Sequence, residues 1–273
     1  MNMSQDCIDV KTLLRSVDYR IARIREEITQ AYSLVYREYL KRGYTEECPS
    51  QMRYTVYNAL PQSSTFVTVA DDIVLSTVSV IPDSPLGLPM DAIYRNEIDA
   101  LRDQGKKVCE VTMLASNTDL FRGVSVMLNA KKMFFIFSLF KLVFDYLSIY
   151  HDYDFACITF HPKHKLIYDF LLFEDLGELK TYNHANGAPA IGKYINLHGF
   201  EERCKTMQRE DLQKMFLRVK NEPEKFSGKF RFSEDDLRSF FVERHPILRN
   251  CSPEHLAYLK KCYPTYDFEK IMR

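Results

Sequence analysis

The chain has no surplus of charge. Its 273 residues carry 37 lysines and arginines against 37 aspartates and glutamates. A general nucleic-acid binder needs a basic footprint, so that class is excluded as the main activity, although a local basic patch fits the balance. Tryptophan is absent. There is no C-x-x-C pair: the cysteines (Cys7, Cys48, Cys109, Cys157, Cys204, Cys251, Cys262) are odd in number and scattered. That pattern fits free thiols in a reducing cytoplasm rather than a disulfide framework. The first residues, Met-Asn-Met-Ser-Gln-Asp-Cys-Ile-Asp, hold acids and no apolar stretch, so no signal peptide is expected. No internal repeat and no low-complexity linker interrupts the sequence.

What is abundant is phenylalanine and tyrosine, 19 and 17 residues. They suit a core, or a slot for a long apolar ligand, with core the default. Residues 1–18 read as a leader. Tyr19 to Ile24 alternates as a strand does. Glu26 to Arg42 places Ile28, Ala31, Leu34, Val35 and Leu40 at helical spacing, with Gly43 as the stop. Residues 44–60 read as a loop with short helical pieces. Ser64 to Ala70 and Ile73 to Ile81 form β-rich runs around Asp71-Asp72, a hairpin signal. An amphipathic helix follows over Asp91 to Arg102, and Gly105 ends it. Next come a strand at 107–115, a polar loop at 116–130, a very apolar helix, a strand at 155–160 and a helix from about His164 to Phe173. Two more strands are expected near Glu178 to Tyr182 and Ala190 to Leu197. Beyond Gly199 the pattern turns helical, with Ser233 and Ser252 as N-caps. The sum is an α+β fold: a mixed central sheet with flanking helices over 19–198, and a helical extension over 199–273.

Met133 to Tyr150 has about the length of a membrane span, but Lys141 and Asp145 sit inside it at i,i+4 spacing. A buried helix packed on a sheet is the better reading, with a peripheral membrane contact left open. His161 and His164 flank Pro162 and Lys163. No third ligand is near, so a metal site is not expected.

The order of elements and several stretches resemble the GNAT acyltransferase fold. More narrowly they resemble the N-acyl amino acid synthase (FeeM-like) family, relatives of the acyl-homoserine lactone synthases. The stretches are Tyr39 to Tyr44, Gly87-Leu88-Pro89 with Tyr94 and Glu97 to Arg102, Val108 to Thr112 around Glu110, Phe160 to His164 with Tyr168 and Phe173, and Gly187 to Ala190. Together they span roughly Tyr19 to Leu197. Two departures stand out. Ser116 to Lys132 holds a single glycine, Gly123, so the GNAT pyrophosphate loop is missing. That loop cradles the coenzyme A diphosphate with backbone N–H groups. Its loss disfavours acyl-coenzyme A and suits acyl-phosphopantetheine on an acyl carrier protein. Leu172 stands where such folds often have glycine.

The resemblance implies an enzyme that joins a fatty acyl group to the α-amine of an amino acid, with no bound cofactor. Glu110 would take the amine's proton, its pKa raised by apolar neighbours. Side-chain alternation puts Val108, Glu110, Thr112 and Leu114 on one face. The strand backbone at Met113, Leu114 and Ala115 would supply the oxyanion donor and pantetheine contacts. Tyr168 would protonate the leaving thiolate, and its bland alternative is a core aromatic. His164 is a candidate contact to the amino-acid carboxylate, against a simple capping role. Arg122, Lys131 and Lys132, in the loop after the Glu110 strand, would meet the carrier protein and its phosphate. Phe134 and Phe137 would line an acyl tunnel, where each buried CH₂ contributes roughly 0.8 kcal/mol. Two other readings stay open: an acyl-homoserine lactone synthase or acyl-coenzyme A-dependent transferase, and a non-catalytic domain that binds a lipid or a partner.

Overall fold

A computed structural model describes residues 17–121 and 126–273, and side chains within this span except those of 121 and 126–134. Among the described residues, eight strands and ten α-helices follow one another. Strand β1 spans Asp18–Ile21 and helix α1 spans Arg25–Leu40. Helix α1 buries Ile28, Ala31, Tyr32, Leu34 and Val35, the face that the 3.6-residue period selects. It ends where Gly43 turns to φ +71, with the Tyr44 N–H donating to the Tyr39 carbonyl at 2.9 Å. Strands β2 (Ser64–Ala70) and β3 (Ile73–Pro82) are joined through Asp71 and Asp72, both at positive φ. That two-residue turn matches the twist of a hairpin.

Helix α2 (Asp91–Arg102) precedes β4 (Val108–Ser116), and helix α3 covers Val126–Asp145. Helix α3 therefore starts within the segment expected to be a polar loop. Val126 to Lys132 contains good helix formers beside its polar residues, and the register continues into the apolar run. Lys131 and Lys132 thus belong to the first turns of α3, not to the loop. Strand β5 (Phe155–Phe160), helix α4 (Lys165–Phe170), the short strands β6 (Glu174–Asp175) and β7 (Lys180–Tyr182), and β8 (Ala188–Asn196) complete the sheet. Strand β6 carries no signal in the sequence, because two residues have no periodicity.

The strand order is β1-β2-β3-β4-β5-β8, with β6 and β7 each pairing part of β8. Every pairing is antiparallel except β4 with β5. One sheet face packs on α3 through Phe66, Val80, Val111, Leu139, Val143 and Ile158. The other packs on α1 through Val67, Val69, Met113 and Ala115, while α2 covers Ile81, Val108 and Cys157. Within α3, Asp145 is fully buried and paired with Lys141. The backbone N–H of Asn221 also donates to Asp145 at 2.9 Å. Among the described residues, no helix is long and apolar enough to cross a membrane.

The segment beyond β8 contains α5 (Phe200–Thr206), α6 (Glu210–Gln213), α7 (Glu234–Arg238), α8 (Ile247–Asn250), α9 (Pro253–Cys262) and α10 (Phe268–Met272). Ser233 and Ser252 cap α7 and α9 as their sequence context requires. Phe200 and Phe216 join the core beside α3, whereas Phe240, Phe241 and Tyr263 join the one beside α1.

Candidate active site

Strands β4 and β5 pair over three rungs only: Val108 with Phe155, Cys109 with Ala156, and Glu110 with Cys157. Beyond Glu110 the two diverge. Strand β4 continues on β3 and β5 continues on β8. The cause lies in β4. Thr112 faces Ser79 and Ala115 faces Thr77, so Met113 and Leu114 share one partner position, and Met113 takes φ +55. This β-bulge bends the strand away from its parallel neighbour. It also resets the alternation. Val108, Glu110 and Thr112 share a face as expected, but Met113 and Ala115 then follow on the α1 side, and Leu114 packs on the α3 side. The expected placement of Leu114 beside Glu110 is corrected accordingly.

A cavity of about 790 Å³ fills the resulting V. Glu110, Thr112, Met113, Leu114 and Ala115 line one side, and Ile158, Thr159 and Phe160 the other. The β5-facing edge of β4 has no strand partner beyond Glu110. Backbone N–H groups of that edge are the natural donors to an oxyanion formed in the V. Ile136, Ile167 and Tyr168 line the α3–α4 side of the cavity.

Glu110 is 1% exposed. One carboxylate oxygen accepts from the Met90 N–H, at the start of α2, at 2.7 Å. Burial pushes its pKa up to about 8; the Met90 N–H and the Thr112 hydroxyl oppose this, and the charge of Asp91 adds to it. A carboxyl poised there exchanges protons near neutral pH. Three tyrosines respond to its charge. Burial raises the pKa of Tyr182, Tyr57 and Tyr39, and the Glu110 carboxylate adds to each. The Tyr182 hydroxyl donates to the Pro89 carbonyl at 3.1 Å.

Tyr168 is buried among Phe140, Phe160 and Phe173 while still lining the cavity. Burial raises its pKa, so the phenol keeps its proton. Among the described residues its hydroxyl has no hydrogen-bond partner. His164 lines the cavity and precedes α4 without capping it through its side chain. His161 does cap: its Nδ1 accepts from the Lys163 N–H at 3.1 Å, and its ring stacks on Tyr44. Phe137 packs against Phe170 and is not among the side chains that line the cavity. Arg122 lies outside the described residues, as do the side chains of Lys131, Lys132 and Phe134.

Several lining residues carried no functional signal in the sequence. Glu38, near the end of α1, is 2% exposed. It accepts from the Thr118 N–H at 3.1 Å and from the Arg42 guanidinium at 2.7 Å. Against the upward push of burial, Arg42, Lys41 and Thr118 hold its pKa down at about 2. Glu38 thereby ties the loop after β4 to α1. Arg53 reaches the Thr45 hydroxyl at 3.1 Å and lies over the Tyr39 ring. Arg95 on α2 and His255 on α9 also line the cavity. Such charges look like ordinary solvated surface until the fold converges them.

The family model described as N-acyl amino acid synthase FeeM matches residues 30–196. The solved structure of FeeM, an N-acyl amino acid synthase from uncultured soil microbes, is 30% identical to this chain with a TM-score of 0.59. That similarity covers 71% of this chain and 96% of FeeM. The AHL synthase LasI is 11% identical over 76% of this chain and 98% of its own, with a TM-score of 0.50, a likeness of fold alone. No curated protein matches the chain.

Proposed function

We propose that this chain, which belongs to the FeeM family of N-acyl amino acid synthases and is an N-acyltransferase, moves a long-chain fatty acyl group from acyl carrier protein to the α-amine of an amino acid. The observation that carries this reading is the walled-in Glu110 carboxylate at the head of the open V. The amine nitrogen attacks the thioester carbonyl carbon, and Glu110 accepts the proton released. Backbone N–H groups of the β4 edge stabilise the tetrahedral oxyanion. The C–S bond then breaks, Tyr168 protonates the thiolate, and solvent returns the proton balance from Glu110 to the phenolate. Products are the amide and the free carrier thiol.

Two features support the finer assignments. The missing glycine-rich loop removes the usual cradle for a coenzyme A diphosphate, which favours a carrier-bound donor with its single phosphate. The apolar walls built by Leu114, Ile136, Ile158 and Ile167 favour a long chain over acetyl. The decisive experiment incubates the purified protein with acyl carrier protein thioesters of several lengths and the twenty amino acids. Acyl amides are then sought by mass spectrometry, with acyl-coenzyme A donors in parallel. Amides from carrier thioesters support the reading. Amides only from acyl-coenzyme A reassign the donor, and no amide from any combination overturns it.

A further inference from the structure

The family match stops at residue 196, yet the chain beyond it helps build the site. The segment Arg53 to Tyr57 forms one cavity wall. Its outer side rests on the C-terminal helices. The Tyr54 hydroxyl donates to the Phe240 carbonyl, the Tyr263 hydroxyl donates to the Ala59 carbonyl at 2.7 Å, and the Tyr54 ring packs edge-on to Phe240 and Phe241. One residue from this region reaches the cavity itself: His255, in the first turn of α9, whose ring centroid lies 6.2 Å from that of Tyr57.

Arg95 approaches the same tyrosine from α2. Its positive charge partly offsets the effects of burial, Asp91 and Glu110 on the Tyr57 phenol. Among the described residues, the Arg95 guanidinium makes no ion pair and no hydrogen bond. Arg95 is exposed at the rim of the cavity, where its planar guanidinium is free to pair with a carboxylate that enters. Glu110 lines the same cavity.

We propose that Arg95 and His255, which line the cavity together with Tyr57, hold the carboxylate of the acceptor amino acid and so turn its amine toward Glu110. The C-terminal segment is then a specificity element of this chain, acting on the acceptor and not on the acyl donor. This inference rests on the N-acyl amino acid reading above.

Calorimetry with two compounds tests it without turnover. N-Dodecanoylphenylalanine and N-(2-phenylethyl)dodecanamide differ only by the carboxylate. Wild-type protein is expected to bind the carboxylate compound on the order of tenfold tighter. Arg95→Ala and His255→Ala should each shrink that ratio while leaving affinity for the neutral amide unchanged, which also shows that the variant is folded. Where an alanine variant loses both compounds, Arg95→Gln and His255→Gln give the same reading. Equal affinities in the wild type, no binding of either compound, or a ratio untouched in both variants overturns the proposal. A protein that makes N-acyl amino acids but treats the two compounds alike sinks this inference and leaves the transferase reading intact.

Discussion

The Met90 N–H and the Glu110 carboxylate lie twenty residues apart in sequence and 2.7 Å apart in space. This bond fixes the carboxyl at the start of α2 while burial keeps its pKa near 8. Replacing Glu110 with Gln keeps an acceptor for Met90 and removes the base. The rate of amide formation should fall by about 10²–10⁴-fold, and the wild-type rate should climb with pH through about 8 before levelling. A variant profile with the same rise would assign the titration to another group.

The same carboxyl has a cost in stability. Below about pH 4.5 it is protonated in both folded and unfolded chains. As pH rises toward 8 the unfolded chain has released a proton that the folded chain keeps, so folding is progressively disfavoured. Thermal melts at pH 8.5 or so should therefore show Glu110→Gln melting above the wild type, with the gap closing toward pH 4.

Tyr168→Phe removes one hydroxyl that has no partner among the described residues. The melting temperature should hardly move, whereas kcat should drop by about 10–100-fold if the phenol protonates the thiolate. Donors with a more acidic thiol leaving group should narrow that drop. Unchanged kcat would return Tyr168 to the status of a core aromatic.

Ile136 projects into the cavity from α3. Ile136→Trp should shorten the preferred acyl chain, since each CH₂ excluded from the cavity forfeits roughly 0.8 kcal/mol, close to fourfold in affinity. A competition assay with mixed chain lengths reads this directly.

Glu38→Gln should destabilise the fold by about 2 kcal/mol, because Arg42 and Lys41 lose a buried partner while staying partly hydrated themselves. In the wild type that contribution is present above about pH 4.5 and is lost as pH falls toward 2, the direction set by a depressed carboxylate pKa. Urea titrations of the two proteins should show a smaller stability gap at pH 3 than at pH 7, with the remainder closing only toward pH 2.

Much of this architecture is written locally. The Asp71-Asp72 hairpin, the Gly43 stop, the Ser233 and Ser252 caps and the strand around Glu110 each follow from a few neighbouring residues. The β4 bulge is different. Nothing in Val-Thr-Met-Leu-Ala marks Met113 for positive φ, and the bulge shows only in how β4 pairs with β3. Leu172 is similar. Its φ of +63 is a conformation that favours glycine, and its side chain is buried in the core beside α3. The converging side chains of Glu38, Arg95 and His255 come from helices far apart in sequence, so no spacing could announce them. Phe137 meets Phe170 and not the cavity for a simpler reason: a helix period alone does not say which apolar face meets a neighbouring element and which meets a cavity.

The three rungs between β4 and β5 have one more consequence. Among the described residues they are the only strand pairing between two antiparallel blocks, β1 to β4 on one side and β5 to β8 on the other. On the proposed mechanism the gap that admits the substrate is the same gap that leaves β4–β5 bonds unmade, so a thioester lodged in the V would touch both half-sheets and bridge them.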